Sequence, residues 1–424
     1  MGAPQMIRTL SILALLMASA APLAAQPSSP ETVAAAALDA APVWDGHNDV
    51  PIQLRSRFGN MINGFDFVDT TDTGQPDGSR VMHTDLARLA RGKVGAQFWS
   101  VYVSGTLPEP EAVQATIEQV DVTKRLIARY PERMALAMTA DEMEAAMAAG
   151  KVAGMMGAEG GHSIGSSLAV LRQLYDLGVR YMTLTHSRNT PWADSATADP
   201  EHGGLSEFGV QVVREMQRIG MLVDLSHVSE DSMNDALDVA GAPVIFSHSG
   251  ARAVNAHARN VPDSVLARMK DNGGIVMAVA FPSYVSEPLR LWMADRQAEE
   301  ARQKSLLQGQ PAAVKAAMDV WANGHPMPLS TVSDLADHID HIRAVAGIDH
   351  IGIGGDYDGM DSGPVGMEDV TGYPVLFTEL AKRGYSQDDL EKIASRNMMR
   401  VLRAAEAYAA EHSADLPIET KVSD

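Results

Sequence analysis

Five side chains able to bind a metal stand at the ends of short apolar runs in this sequence. Val43-Trp44-Asp45-Gly46-His47-Asn48-Asp49 places a His and an Asp two positions apart, which an extended chain projects to the same side. Alone, such a pair is an ordinary turn. Its weight rises because Met155-Met156-Gly157-Ala158-Glu159 ends a second run in a carboxylate, while Leu222-Val223-Asp224-Leu225-Ser226-His227 and Val244-Ile245-Phe246-Ser247-His248 each run straight into an imidazole. His47, Asp49, Glu159, His227 and His248 supply two carboxylates and three imidazoles. A catalytic zinc uses three protein ligands and keeps a position for water, so five suit two ions with Glu159 as the bridge. Two ions roughly 3.5–4 Å apart hold a water between them, lower its pKa to near neutrality and polarise a carbonyl. The implied reaction is hydrolysis, and a nitrogen and oxygen donor set accepts zinc, manganese or iron.

Three more segments complete a reaction site. Thr183-Leu184-Thr185-His186 offers a fourth imidazole, not needed as a ligand and free to stabilise an oxyanion. Gly352-Ile353-Gly354-Gly355-Asp356 ends in a carboxylate placed to exchange a proton with the attacking water and then with a leaving amine. Arg259, in His257-Ala258-Arg259-Asn260, has the planar fork that suits a substrate carboxylate. His162 reads as a donor orienting Glu159, and His338 and His341 as a solvated helix face.

The elements that must position these groups follow from length and pattern. The chain has 424 residues, formal net charge −20 and Cys 0, which excludes disulfides, thiolate metal sites and a cysteine nucleophile. The acidic balance also speaks against nucleic acid, whose phosphates need a basic face. Arg8, the apolar run Leu10 to Met17 and the small residues to Ala25 read as a secretory signal over 1–25, with export to a bacterial periplasm and no stable membrane anchor. A Pro/Ser/Ala-rich linker fills 26–41, the catalytic domain 42–410 and a polar tail 411–424.

Within that domain, apolar runs alternate with amphipathic stretches, the pattern of parallel βα units. Eight strands are expected: Val43 to Asp45, Val94 to Val103, Val152 to Met156, Val179 to Thr185, Met221 to Leu225, Pro243 to Phe246, Gly274 to Val279 and His350 to Ile353. They give an α/β fold, a closed (β/α)8 TIM-type barrel whose active site lies at the C-terminal ends of the strands. Met134 to Met138 is a ninth candidate that must lie outside the barrel or displace a neighbour. Val113, Ile117, Val120, Ile127 and Tyr130 mark one buried helix face. After the seventh expected strand, 287–328 reads as a helical hairpin inserted above the barrel, turned at Gly309-Gln310-Pro311.

Taken together, the motifs resemble those of the membrane (renal) dipeptidase family, binuclear zinc peptidases of the amidohydrolase type. The matching segments are Asp45-Gly-His-Asn-Asp-Val-Pro51, Gly157-Ala-Glu-Gly-Gly-His-Ser163, the stretch Tyr181 to Asp194, Leu222 to Ser229, Val244 to Ser249, Arg259-Asn-Val-Pro-Asp263 and Gly352 to Gly359. The resemblance implies hydrolysis of dipeptides, including those with a C-terminal D-residue, through two zinc ions. One ion would take His47 and Asp49, the other His227 and His248, with Glu159 bridging. His186 would bind the oxyanion, Arg259 and Tyr284 the substrate carboxylate, and Asp356 would shuttle the proton. A homodimer is compatible with the resemblance, although the disulfide cross-link and lipid anchor of animal members have no counterpart here. The alternative reading of the same binuclear site is an N-acyl amino acid deacylase or a related amidase or lactonase.

Overall fold

The computed structural model describes residues 1–2, 29–74 and 80–421, so the expected signal at 1–25 lies outside the described residues apart from its first two positions. Among the described residues there are nine strands: β1 (Val43–Asn48), β2 (Val94–Ser100), β3 (Met134–Leu136), β4 (Val152–Glu159), β5 (Val179–Thr183), β6 (Leu222–Asp224), β7 (Ile245–Phe246), β8 (Ile275–Val279) and β9 (Ile351–Gly354). All pair in parallel, in the order β2-β1-β9-β8-β7-β6-β5-β4, and β2 pairing with β4 closes the ring. Eight strands thus form the barrel and helices surround it. The ninth, β3, pairs with β4 alone and so lies outside the closed ring without displacing a neighbour. Ala153 pairs with Ala96 of β2 and with Ala135 of β3, which puts β3 on the edge of β4 that β5 occupies from Met156 onward.

Period-two alternation sorts the strand residues into two cores. Trp44, Ala96, Phe98, Ala153, Met155, Tyr181, Leu222, Ile245, Ile275 and Met277 pack together with Met398, Val401 and Leu402 of the helix Asn397–Glu411. Their intervening neighbours, such as Val43, Trp99, Met156, Met182, Val223, Phe246, Val276 and Ile353, join the core beneath the surrounding helices. The first set is the barrel filling, stoppered at one end by that helix. Two residues further along the same inward faces come Ser100, Thr183, Asp224 and Ser247, and Glu159 comes four beyond Met155, past Gly157. The filling therefore turns polar where the strands end.

Several expectations change. The supposed linker contains the helix Pro30–Ala40, capped by Ser29 and buried through Ala34, Ala37 and Leu38, because its alanines allow close approach to the core. In the helix Glu109–Arg129 the expected Val120 and Ile127 are buried, alongside Ala112, Ala115, Thr116, Gln119, Val122, Thr123 and Leu126, but Ile117 is exposed. Strand β2 stops at Ser100 rather than Val103, β5 at Thr183 rather than Thr185, and β7 begins at Ile245 rather than Pro243. The hairpin is present as Glu287–Leu306 and Pro311–Gly324, and the second helix buries none of its residues. The polar tail is tied back, with the Ile418 N–H donating to Glu215 and Arg172 donating to the Ile418 carbonyl.

Candidate metal centre and active site

The polar end of the barrel gathers all five candidate ligands around Glu159. Its Oε2 lies 3.4 Å from His47 Nε2, which is 3.5 Å from Asp49 Oδ2. Its Oε1 lies 3.1 Å from His227 Nε2 and 3.5 Å from His248 Nε2. One carboxylate thus turns one oxygen toward His47 and the other toward His227 and His248. Donors about 2.1 Å from a tetrahedral ion stand about 3.4 Å apart, so these spacings suit ligands of shared ions. His47 Nε2 is buried and has no hydrogen-bond partner, the condition of a ligand atom kept for a cation. His47, Asp49, Glu159 and His248 are almost wholly buried. Among the described residues, three overlapping groups have donor atoms close enough to hold an ion: His47, Glu159 and His248; Glu159, His186 and His227; and His47, Asp49 and Asp356.

The field in this cluster favours cations. Burial alone would keep His47 neutral, yet the oxygens of Tyr181, Glu159 and Asp49 outweigh it and raise its pKa well above the usual value. Burial, Arg259 and His186 hold His227 well below its ordinary value; burial, His47 and Arg259 do the same for His248. Both are neutral, as an imidazole ligand must be. Burial opposes the ionised form of Glu159, but His47, His186 and His227 win and lower its pKa strongly. Asp356 goes the other way. Burial, reinforced by Asp49 and Glu159, holds its carboxyl well above the usual range against the pull of His47 and Arg259.

Three of the remaining expected residues, His186, Tyr284 and Asp356, line a 380 Å³ cavity at this cluster together with Tyr102, whereas Arg259 does not border it. His186 Nε2 is 3.7 Å from Glu159 Oε1, and its ring packs on Tyr102 at 4.7 Å. Arg259 is 1% exposed, its guanidinium carbon 5.5 Å from the centre of the Tyr284 ring. Its terminal nitrogens reach Ser249 Oγ and the His248 carbonyl at 3.4 and 3.2 Å, while Nε is buried without a partner. His227 and Asp356 hold φ of 70° and 59°, left-handed backbone that residues with a Cβ adopt at a cost of roughly 1–3 kcal/mol.

The family model of membrane dipeptidases (peptidase family M19) matches residues 32–415. The chain belongs to the membrane dipeptidase family. It is 40% identical over 383 residues to dipeptidase tcpJ of Claviceps purpurea, covering 88% of this chain and 79% of that one. To human dipeptidase 3 it is 39% identical over 405 residues, covering 93% and 72%. Among solved structures, the probable dipeptidase PvdM of Pseudomonas aeruginosa shares the fold with TM-score 0.75 at 23% identity, over 90% of this chain and 99% of that one.

In this family member, the groups that hold the imidazoles were not visible in the motifs. Tyr181 Oη lies 2.9 Å from His47 Nδ1, reached because residue 157 is glycine and any Cβ there would overlap the Tyr181 ring. Ser247 Oγ lies 2.8 Å from His248 Nδ1 and donates to Asp224 Oδ2 at 2.6 Å, which also accepts from Thr183 Oγ1 at 2.6 Å. Ser100 Oγ donates to Glu159 Oε2 at 3.0 Å. That is the role expected of His162, whose Nε2 instead meets the Val103 carbonyl at 2.9 Å. His338 is not solvated but fully buried, accepting from the Ala251 N–H and bonding the Val285 carbonyl. His341 does sit toward the surface, paired with Asp263.

Proposed function

We propose that this dipeptidase-family chain cleaves the peptide bond of dipeptides, including those with a C-terminal D-residue, and that two zinc ions held by His47, Asp49, Glu159, His227 and His248 are its cofactors. The observation that carries the reading is Glu159, one of whose carboxylate oxygens faces His47, itself beside Asp49, while the other faces His227 and His248. Bound there, such ions supply a hydroxide nucleophile near neutral pH and polarise the scissile carbonyl. The imidazole-rich donor set supports zinc.

The chain's own residues do the rest. Arg259, buried with an unpartnered Nε, takes the substrate carboxylate against the Tyr284 ring. This fixes the peptide carbonyl over the ligand cluster, where the His186 imidazole at the pocket rim donates to the developing oxyanion. Asp356, whose carboxyl binds a proton more readily than a surface acid, takes the proton of the nucleophile and passes it to the departing amine nitrogen. Arg8 and the apolar run Leu10 to Met17 support secretion, to a periplasm in a bacterial source. Among the described residues, no helix is long and apolar enough to cross a membrane.

A panel of L,L and L,D dipeptides, assayed with metal analysis of the purified protein, tests this. Free dipeptides should be cleaved and N-acetylated ones left intact. Equal turnover of both would favour the deacylase reading instead.

A further inference from the structure

A second cavity, 990 Å³, adjoins the 380 Å³ metal pocket and shares Phe281 with it. Its floor is Phe281, Leu289 and Met360, and its outer wall is the inserted helix Glu287–Leu306 with the strap Met327 to Ser330. Met293, Met327 and Leu329 face into it and are 47%, 57% and 66% exposed. Large apolar side chains left in water beside a pocket mark a surface that gains by being covered.

The two cavities are joined by an aromatic partition. Arg259 lies 5.5 Å from the Tyr284 ring centre; Tyr284 stacks on Phe281 at 4.3 Å and meets His257 at 4.4 Å. Phe281 and His257 both border the larger cavity. A residue whose carboxylate is held by Arg259 therefore has its side chain beside this partition, and a side chain too long for the metal pocket continues past Phe281. The metal pocket has the volume of an ordinary small-ligand site, and the larger cavity extends that space beyond Phe281.

We infer that the inserted hairpin forms a subsite for a large apolar side chain on the C-terminal residue of the substrate, so that the chain prefers dipeptides ending in leucine, phenylalanine or tryptophan to those ending in alanine. This rests on the dipeptidase reading and on Arg259 as the carboxylate anchor. Two arginines line this cavity; Arg290 is paired with Glu287 and Arg296 lies in the field of Glu300, so neither stands there without a carboxylate.

The test compares Gly-Ala, Gly-Leu and Gly-Phe with the wild-type enzyme, Met293→Glu and Leu329→Glu. Both substitutions sit at exposed positions outside the metal pocket, so folding is retained. Wild-type kcat/KM should rise about 10-fold or more from Ala to Phe. Each variant should lose most of that rise through KM and leave Gly-Ala unchanged. A flat wild-type profile, or equal losses on Gly-Ala and Gly-Phe, would overturn the subsite. So would a variant that changes only the oligomeric state, which would make the apolar wall a contact between copies. Failure to cleave any of the three would overturn the dipeptidase reading itself.

Discussion

The two halves of the proposed metal cluster meet the same electrostatic need by different means. On the His47 side a carboxylate, Asp49, stands among the donors, and the imidazole is steadied by a neutral phenol, Tyr181. On the His248 side both donors besides Glu159 are neutral imidazoles, and the matching negative charge lies behind them on Asp224, relayed through the Ser247 hydroxyl. An anion one step removed raises the basicity of the imidazole it backs without occupying a ligand position. His227 has no such support: its Nδ1 is buried without a partner and its backbone is left-handed. The halves should therefore differ in how tightly they hold an ion and in which distant residue governs that grip.

Glu159→Ala removes the group common to both halves and gives the largest expected effect. Metal content should collapse in both together, with activity lost entirely, as read by elemental analysis of the dialysed protein. Retention of a full ion in either half would show that the bridge is not shared. Asp356→Asn should separate chemistry from binding, lowering kcat by about 10²–10⁴-fold with both ions retained. Near-normal turnover in this variant would remove Asp356 from the proton path.

Arg259→Ala belongs to neither half and so serves as a control on the comparison. It should raise KM for free dipeptides by about 10-fold or more, leave metal content intact and erase the preference for a carboxylate over a C-terminal amide. An unchanged preference on comparing Gly-Phe with its amide would rule out the anchor.

What the sequence made legible divides along similar lines. The barrel strands stood out because most of the short apolar runs end in a residue that is expensive to bury without a function, such as His47, Glu159 or His248. Convergence at one mouth then followed from the fold class alone. The supports were harder to see. Asp224 did carry a signal, a carboxylate inside Leu222-Val-Asp-Leu with inward parity, which must find several donors there. Tyr181 carried none, because a tyrosine in a strand is ordinary, and only the Cβ-free surface of Gly157 explains its reach. His338 was misread because its partners, the Ala251 N–H and the Val285 carbonyl, come from segments more than fifty residues away. Burial decided at that range leaves no local pattern. The helix at Pro30 hid behind its alanines, which score as linker composition yet pack as core.

Asp224→Asn tests the relay behind His248. Ser247 donates its hydroxyl proton to Asp224 Oδ2, which leaves its oxygen to accept from His248 Nδ1–H and keeps Nε2 free for a metal. An asparagine amide in that place donates instead of accepting. Ser247 must then turn its proton toward His248 Nδ1, and the imidazole shifts to the tautomer whose hydrogen sits on Nε2. Affinity in that half should fall about 10–100-fold in a chelator competition, with the His47 half unaffected. Equal weakening of both halves would mean that the substitution loosens the barrel as a whole.

Tyr181→Phe is the matching change on the other side, and the effect should be smaller because a neutral group is lost and two carboxylates remain with the ion. The ring stays, so its packing over Gly157 and in the barrel filling is kept, and stability without metal should change by no more than about 1–2 kcal/mol. Without the hydroxyl, His47 Nδ1 faces an apolar ring, its tautomer is no longer fixed, and affinity in the His47 half should drop roughly 10-fold. Gly157→Ala should reproduce this loss by pushing the whole ring aside, with a larger stability penalty. If Tyr181→Phe weakened metal binding as much as Asp224→Asn, a phenol would be as effective a support as a relayed carboxylate. The contrast between the two halves would then be one of geometry and not of charge.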